Sequence, residues 1–366
     1  MTLTEKSIPN EAGREKYPSI HVERIRVSEE TAIVFSGQGV QHKGMGFDIY
    51  NAYPDLVVPF YETADRLITE TTYPPFSIKE ISFEDPRQEL HKTEFAQLAI
   101  LCYSQVYFKV LLWELLDHQK EVKPGRYAGP SSGGISALVA SGATRFNETF
   151  NFVKVRAKAM QEASDKAKYS ALRVFSPNHQ NPTEEDEKLF EDALKDTPGV
   201  TASYINSSSD CIVSGPQDAI ANARITLRQK GVRSLPLDHG PFHTDAMLKA
   251  VPETREALGK ANIRRIPIPI VSNTDGKLIY EPEDIIEEVL TQMTNPVNWK
   301  EALNSLVDNT ETILIVGNHP QTAALSKRQR EKSTGREQQI GAVVSKKGLV
   351  IAHILVAKED FEKLAS

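Results

Sequence analysis

Gly129-Pro-Ser-Ser-Gly133 matches the pattern G-x-S-x-G, and the chemistry this pattern serves is nucleophilic attack on an acyl carbonyl. The pattern places Ser131 on a sharp, strained turn between a strand and a helix, with glycines on either side so that backbones can pass closely. The following helix points its N-terminus at the serine, where backbone N–H groups and the dipole favour negative charge. An oxyanion at a thioester carbonyl would be stabilised there, with Ser132 supplying a backbone N–H. Taken alone, a Gly/Ser turn before a helix is more often an N-cap than a nucleophile. A serine also needs a base. Of the nine histidines, His243 in His239-Gly-Pro-Phe-His243 lies in a Gly/Pro-containing loop just after a small inserted unit, and such junction loops often carry function. His21, His42, His91, His118, His179 and His353 sit in polar surroundings and read as ordinary residues. No metal spacing such as H-E-x-x-H occurs, and Gly37-Gln-Gly-Val-Gln-His-Lys-Gly44 fails both G-x-G-x-x-G and the G-K-[ST] ending of a phosphate loop.

Several elements must position these residues. Thr31–Phe35 and Thr312–Val316 are short, apolar, β-rich runs and Ile266–Val271 is a third strand candidate. Phe95–Leu116 reads as a long buried helix, Ile135–Ala140 as the helix after the serine turn, and Pro282–Gln292 as another helix. Between about 170 and 237 the order changes to strand Ser170–Phe175, helix Glu184–Leu194, strands Val200–Ile205 and Cys211–Val213, helix Gln217–Gln229 and strand Val232–Leu237. That β-α-β-β-α-β order is that of a ferredoxin-like unit. The expected fold is α/β: an α/β-hydrolase-like parallel-sheet core over 30–165 and 238–326, interrupted by a ferredoxin-like small subdomain at 166–237. An N-terminal arm (1–29) and a C-terminal extension (327–366) flank it. Within the extension, Ile340–Val344 and Leu349–Val356 read as a hairpin.

Composition narrows the classes. With 366 residues, 40% of them hydrophobic, the chain can bury a substantial core. A net charge of -6, with Lys327-Arg328-Gln329-Arg330 as the one short basic run, argues against nucleic-acid binding. Cys102 and Cys211 lie in apolar runs and read as small core residues in a reducing compartment. No apolar run is expected to reach the roughly 18 residues of a membrane span. The acidic, polar first 30 residues lack a signal-peptide core, so the cytoplasm is the expected location.

Seven collinear segments over about residues 31–326 together resemble the malonyl-CoA:acyl carrier protein transacylases and the acyltransferase domains of polyketide synthases. They are Phe35-Ser-Gly-Gln-Gly-Val-Gln41, Thr93-Glu-Phe-Ala-Gln97, Gly129-Pro-Ser-Ser-Gly-Gly134, Arg156-Ala-Lys-Ala-Met-Gln161, Gly240-Pro-Phe-His243, Asn295-Pro-Val-Asn-Trp299 and Val316-Gly-Asn-His-Pro320. The resemblance implies that Ser131 forms an acyl-enzyme and His243 shuttles its proton, oriented by a backbone carbonyl near Gln292 instead of an acidic third residue. It implies an oxyanion hole from the N–H groups of Gln38 and Ser132, and it makes Gln97 a supporting residue of the site. Arg156 grips the free carboxylate of malonate, for which a guanidinium offers a rigid two-pronged donor. Phe242 matches the bulky residue that accompanies malonyl over methylmalonyl choice. The expected partners are malonyl-CoA, which is a substrate, and an acyl carrier protein or carrier domain; no cofactor, metal, nucleic acid or membrane is expected.

The chain departs from the family pattern at Pro130, where a histidine is usual, at Gly134, where a glutamate is usual, and in the less apolar run Gly125-Arg-Tyr-Ala128. These departures leave two rival readings: an acyl-thioester hydrolase of the same fold, against which Arg156 speaks, and a catalytically weak module that docks carrier proteins.

Overall fold

Five consecutive buried residues, Thr31–Phe35, form strand β1, an apolar run of the kind found where both faces of a sheet are covered. The computed structural model describes residues 27–69, 76–179, 182–238, 240–317, 339–344 and 350–355. After β1 come helices α1 (Phe47–Ala52), α2 (Pro54–Thr69), α3 (Ile78–Phe83) and α4 (Thr93–His118), strand β2 (Arg126–Ala128), and helices α5 (Ser132–Ala140) and α6 (Phe146–Ala167). The inserted run is β3 (Tyr169–Phe175), α7 (Glu184–Lys195), β4 (Thr201–Ser207), β5 (Asp210–Pro216), α8 (Gln217–Gln229) and β6 (Arg233–Leu237). A 3-10 helix (Asp245–Ala250), α9 (Val251–Gly259), β7 (Ile270–Val271), β8 (Leu278–Ile279), α10 (Pro282–Thr294), β9 (Val297–Asn298), α11 (Trp299–Asn309), β10 (Thr312–Val316), β11 (Gln339–Val344) and β12 (Val350–Leu355) follow.

The main sheet has the order β12-β11-β10-β1-β2-β7-β8. The pairs β11–β10, β10–β1, β1–β2 and β2–β7 are parallel, and β8 and β12 are antiparallel edge strands. One face packs on α11, through Ala32, Val34, Ile313 and Ile315 with Trp299, Leu303 and Leu306. The other packs on a larger core to which α4 contributes most of its length. Layers on both faces of a mostly parallel sheet are the expected α/β architecture. The inserted run forms a second sheet whose order β6-β3-β5-β4, antiparallel throughout, is ferredoxin-like. Its helices bury Phe190, Ala193, Ile220 and Leu227 against Leu172, Val174, Cys211 and Val213. Strand β9 returns from the core to pair in parallel with β4.

Three expectations need correction. Of Ile266–Val271 only Ile270 and Val271 pair as strand, because Pro267 and Pro269 lack the N–H that a ladder requires; the Pro269 carbonyl still accepts from Tyr127 (2.9 Å). The antiparallel hairpin β11–β12 does not stand outside the core, because β11 continues the main sheet by pairing with β10. The boundary expected at 326 thus cuts across that sheet. Third, Thr93–Leu116 is long and apolar enough to cross a membrane by length and composition, yet 89% of its most apolar 18-residue window is buried inside the protein. It is the central core helix. The segments 1–26 and 318–338, including Asn318-His319-Pro320 and the basic run at 327–330, lie outside the described residues.

Trp299 is 1% exposed and its indole Nε1 has no hydrogen-bond partner among the described residues, so its contribution there is packing. Trp299→Ala should cost about 3–5 kcal/mol through the cavity it leaves, whereas Trp299→Phe should cost less than about 1.5 kcal/mol. Urea unfolding of the two variants checks this; equal losses would contradict it.

Candidate active site

Strand β2 ends at Ala128, and two residues later the chain turns sharply into α5. At the turn Ser131 has φ 51° and ψ -111°, outside the favoured regions for a residue with a side chain. Glycine on either side makes the turn possible. A Cβ on Gly129 would lie 2.7 Å from the Phe35 carbonyl oxygen, and one on Gly133 only 2.3 Å from it. The Gly133 N–H donates to Pro130 O and the Gly134 N–H to Ser131 O, both at 2.9 Å. The ladder between β1 and β2 stops at Ala128, so the N–H that Pro130 lacks is not one the sheet needs. Ser131 is half-buried and Ser132 buried. The backbone N–H groups of Gln38 and Ser132 donate to nothing among the described residues, which leaves both available to an oxyanion. The Gln38 side chain donates to Thr93 Oγ1 (3.1 Å), and the Thr93 N–H donates to Gln161 Oε1 (2.8 Å). The loop after β1 is thereby tied to the starts and sides of α4 and α6.

His243 is 7% exposed and also left-handed, at φ 63°, a region histidine enters more readily than most residues. Its Nδ1 donates to the backbone carbonyl of Gln292 on α10. A carbonyl only accepts, so this bond puts the proton on Nδ1 and makes Nε2 the basic nitrogen. The Gln292 side chain is buried, and its Oε1 has no partner among the described residues. Thr244 Oγ1 closes the loop by donating to Pro241 O (2.6 Å), and the 3-10 helix that follows packs on both α6 and α10. Phe242, beside the histidine, is buried. No Ser131–His243 hydrogen bond forms among the described residues; such bonds often tighten only with substrate in place. A small cavity between α5 and α10 is lined by Gly134, Leu138, Asn273, Glu288, Val289 and Gln292, and neither Ser131 nor His243 lines it.

Arg156 is not a surface residue of α6; it is 0% exposed. Its Nη1 donates to Gln97 Oε1 of α4 (2.5 Å), and Gln97 in turn faces Met160 Sδ (3.6 Å). Nε and Nη2 have no partner among the described residues. These are the two parallel donors of one edge of the guanidinium, the edge that matches a carboxylate. Burial pushes the group down to about 10, still well above neutral pH, so it remains a cation. A buried, unpaired cation costs several kcal/mol, an arrangement that an incoming carboxylate would relieve.

Two residues with a role at the turn escaped the sequence reading. Asn273 Oδ1 accepts the Ser131 N–H (2.8 Å), and its Nδ2 donates to Gly129 O (3.0 Å). Glu288 of α10 accepts from Asn273 N–H (2.6 Å), Ser272 Oγ (2.9 Å) and Thr274 Oγ1 (3.2 Å); burial raises its carboxyl above the usual range. The available signal was position, since Ser272-Asn-Thr274 follows the carboxyl end of β7, where open parallel sheets place their sites. Thr93 and Gln161 stand at the ends of two quoted motifs, but nothing in the sequence paired them.

Comparison with known proteins identifies the family. Residues 32–353 match the family model described as "Acyl transferase domain". The malonyl CoA-acyl carrier protein transacylase of Bacillus subtilis (strain 168) is 28% identical over 288 residues, 78% of this chain and 85% of the relative. The polyketide biosynthesis malonyl CoA-acyl carrier protein transacylase BaeC of Bacillus velezensis is 28% identical over 283 residues, 75% and 88% of the two chains. Among solved structures, the acyl-carrier-protein S-malonyltransferase of Bartonella henselae superposes with a TM-score of 0.71 at 26% identity, over 82% of this chain and 92% of that one. With a serine turn, a carbonyl-oriented histidine and a buried arginine on one α/β core, this chain belongs to the acyl transferase domain family.

Proposed function

We propose that this chain moves a malonyl group from malonyl-CoA to the phosphopantetheine thiol of an acyl carrier protein, in fatty acid or polyketide biosynthesis, by way of a malonyl ester on Ser131. The observation that carries the malonyl reading is Arg156: a buried cation whose free donor edge asks for a carboxylate. Malonyl ends in one, whereas acetyl and plain fatty acyl groups do not. The names of the relatives point to the same substrate class, and a related solved complex holds a type II polyketide acyl-carrier protein with its malonyl-transacylase.

The chemistry proceeds in two halves. His243 Nε2 takes the Ser131 proton as Oγ attacks the thioester carbonyl, and the N–H groups of Gln38 and Ser132 hold the resulting oxyanion. Collapse breaks the C–S bond, and His243 returns the proton to the departing coenzyme A sulfur. The carrier thiol then gives its proton to His243, attacks the seryl ester, and Ser131 Oγ leaves with that proton. The Gln292 carbonyl, which cannot ionise, orients the imidazole throughout. Phe242, buried beside His243, matches the bulky residue that accompanies malonyl over methylmalonyl choice, a discrimination typically worth ~1–3 kcal/mol. Acyl-CoA is the substrate, and no further cofactor is required.

Intact-protein mass spectrometry after mixing with malonyl-CoA should show one malonyl adduct in the wild type and none in Ser131→Ala; an adduct that survives in the variant would overturn the assignment. Arg156→Ala should slow malonyl transfer by about 100-fold or more, the equivalent of losing a buried ion pair of ~3 kcal/mol, while acetyl transfer falls far less or rises. Equal losses with malonyl-CoA and acetyl-CoA would mean that Arg156 does not read the carboxylate.

A further inference from the structure

Asn273 is 1% exposed and holds both ends of the turn that presents the nucleophile. We infer that Asn273 is a positioning residue for Ser131, a clamp whose side chain sets the serine turn and whose backbone couples that turn to the helix orienting His243. The inference rests on the transferase reading above and adds to it a residue that acts through Ser131.

A carboxamide carries an acceptor and a donor on one planar carbon. Here Oδ1 takes the Ser131 N–H and Nδ2 reaches the carbonyl of Gly129, two residues earlier. A single rigid group therefore bridges the strained step. Because the Ser131 N–H is engaged, it cannot turn toward the substrate, which leaves the oxyanion to Gln38 and Ser132. The backbone of Asn273 extends the clamp in two directions: its N–H donates to Glu288 on α10, and its carbonyl accepts from Asn298 of β9 (2.7 Å). Glu288 and Gln292 lie one helical turn apart, so the helix whose carbonyl orients His243 also grips the loop that orients Ser131. Strand β9 carries the connection on to β4 of the small subdomain. The departure at Gly134 fits this arrangement, since a Cβ there would lie 3.1 Å from Asn273 Nδ2 and crowd the amide.

Asn273→Asp tests the clamp with almost no change of shape. The new carboxylate still accepts the Ser131 N–H but opposes the Gly129 carbonyl oxygen without a donor; protonated, it donates again. Glu288 faces the backbone of this residue from α10, and Asp275 and Lys277 share its loop, so E288Q and the double variant N273D/E288Q serve as controls. Rapid-quench mass spectrometry of malonyl adduct formation on the full chain should show N273D about 30-fold slower than wild type above neutral pH, with KM for malonyl-CoA within about twofold. The N273D/wild-type rate ratio should climb as pH falls, and should climb equally in the double variant, while N273A stays slow at every pH. Equal rates for N273D and wild type, a flat ratio, or a loss confined to KM or to melting temperature would overturn the clamp. A fluorophosphonate, which phosphonylates a reactive serine with loss of fluoride, separates the two readings. If the wild type takes this probe but no malonyl group, the substrate assignment fails on its own. Equal labelling of N273D and wild type overturns the clamp whichever substrate is right.

Discussion

A serine held at φ 51° and ψ -111° is uphill by roughly 1–3 kcal/mol, and the site exists because its surroundings keep it there. Strand β2 delivers the chain rigidly between β1 and β7, and α5 carries it away with its first turn buried. The Phe35 carbonyl presses so closely on Gly129 and Gly133 that no side chain fits at either position. Two hydrogen bonds from Asn273, at about 1 kcal/mol each, are of the size needed to offset the strain. The result is a hydroxyl at a helix N-terminus, where negative charge is favoured, with the Gln38 and Ser132 N–H groups donating to nothing among the described residues.

The second constraint is a buried cation. Arg156 sits fully enclosed on α6 with a neutral amide as its one partner among the described residues. Its position depends on α4, whose nearly uniform apolar surface is possible because the helix is enclosed on all sides by the core. Gln97 interrupts that apolar surface one turn after Thr93 and holds the guanidinium. Thr93 and Gln161 then tie the loop after β1 to the same two helices. The carboxylate end and the carbonyl end of a bound diacid would thus be registered against one rigid pair of helices. Such registry is what converts binding into productive alignment.

His243 completes the arrangement from the far side. It comes at the end of the small subdomain and is fixed by α10, a helix that also carries Glu288 to the loop behind the serine. Buried carbonyl and carboxylate acceptors on one helix therefore orient both His243 and the Ser131 turn. The small subdomain is joined to this region twice: by chain connection at β6 and by the pairing of β9 with β4.

Much of this was legible in the linear chain. Apolar runs such as Thr31–Phe35 and Thr312–Val316 specify buried strands locally, and Gln217–Gln229 specifies its helix by periodicity alone. The glycines around Ser131 mark the turn because only glycine tolerates backbones that close. What the chain could not reveal depended on partners distant in sequence. Asn273 lies 142 residues from the N–H it accepts, and no local pattern distinguishes it from any loop asparagine. The motif singled out Arg156, but its complete burial follows from how α4 and α6 pack. The prolines at 267 and 269 shortened a strand that hydropathy alone extended. Short-range sterics and periodicity write secondary structure and the strained turn into the sequence, whereas hydrogen-bond satisfaction and charge burial are settled only when separate elements meet.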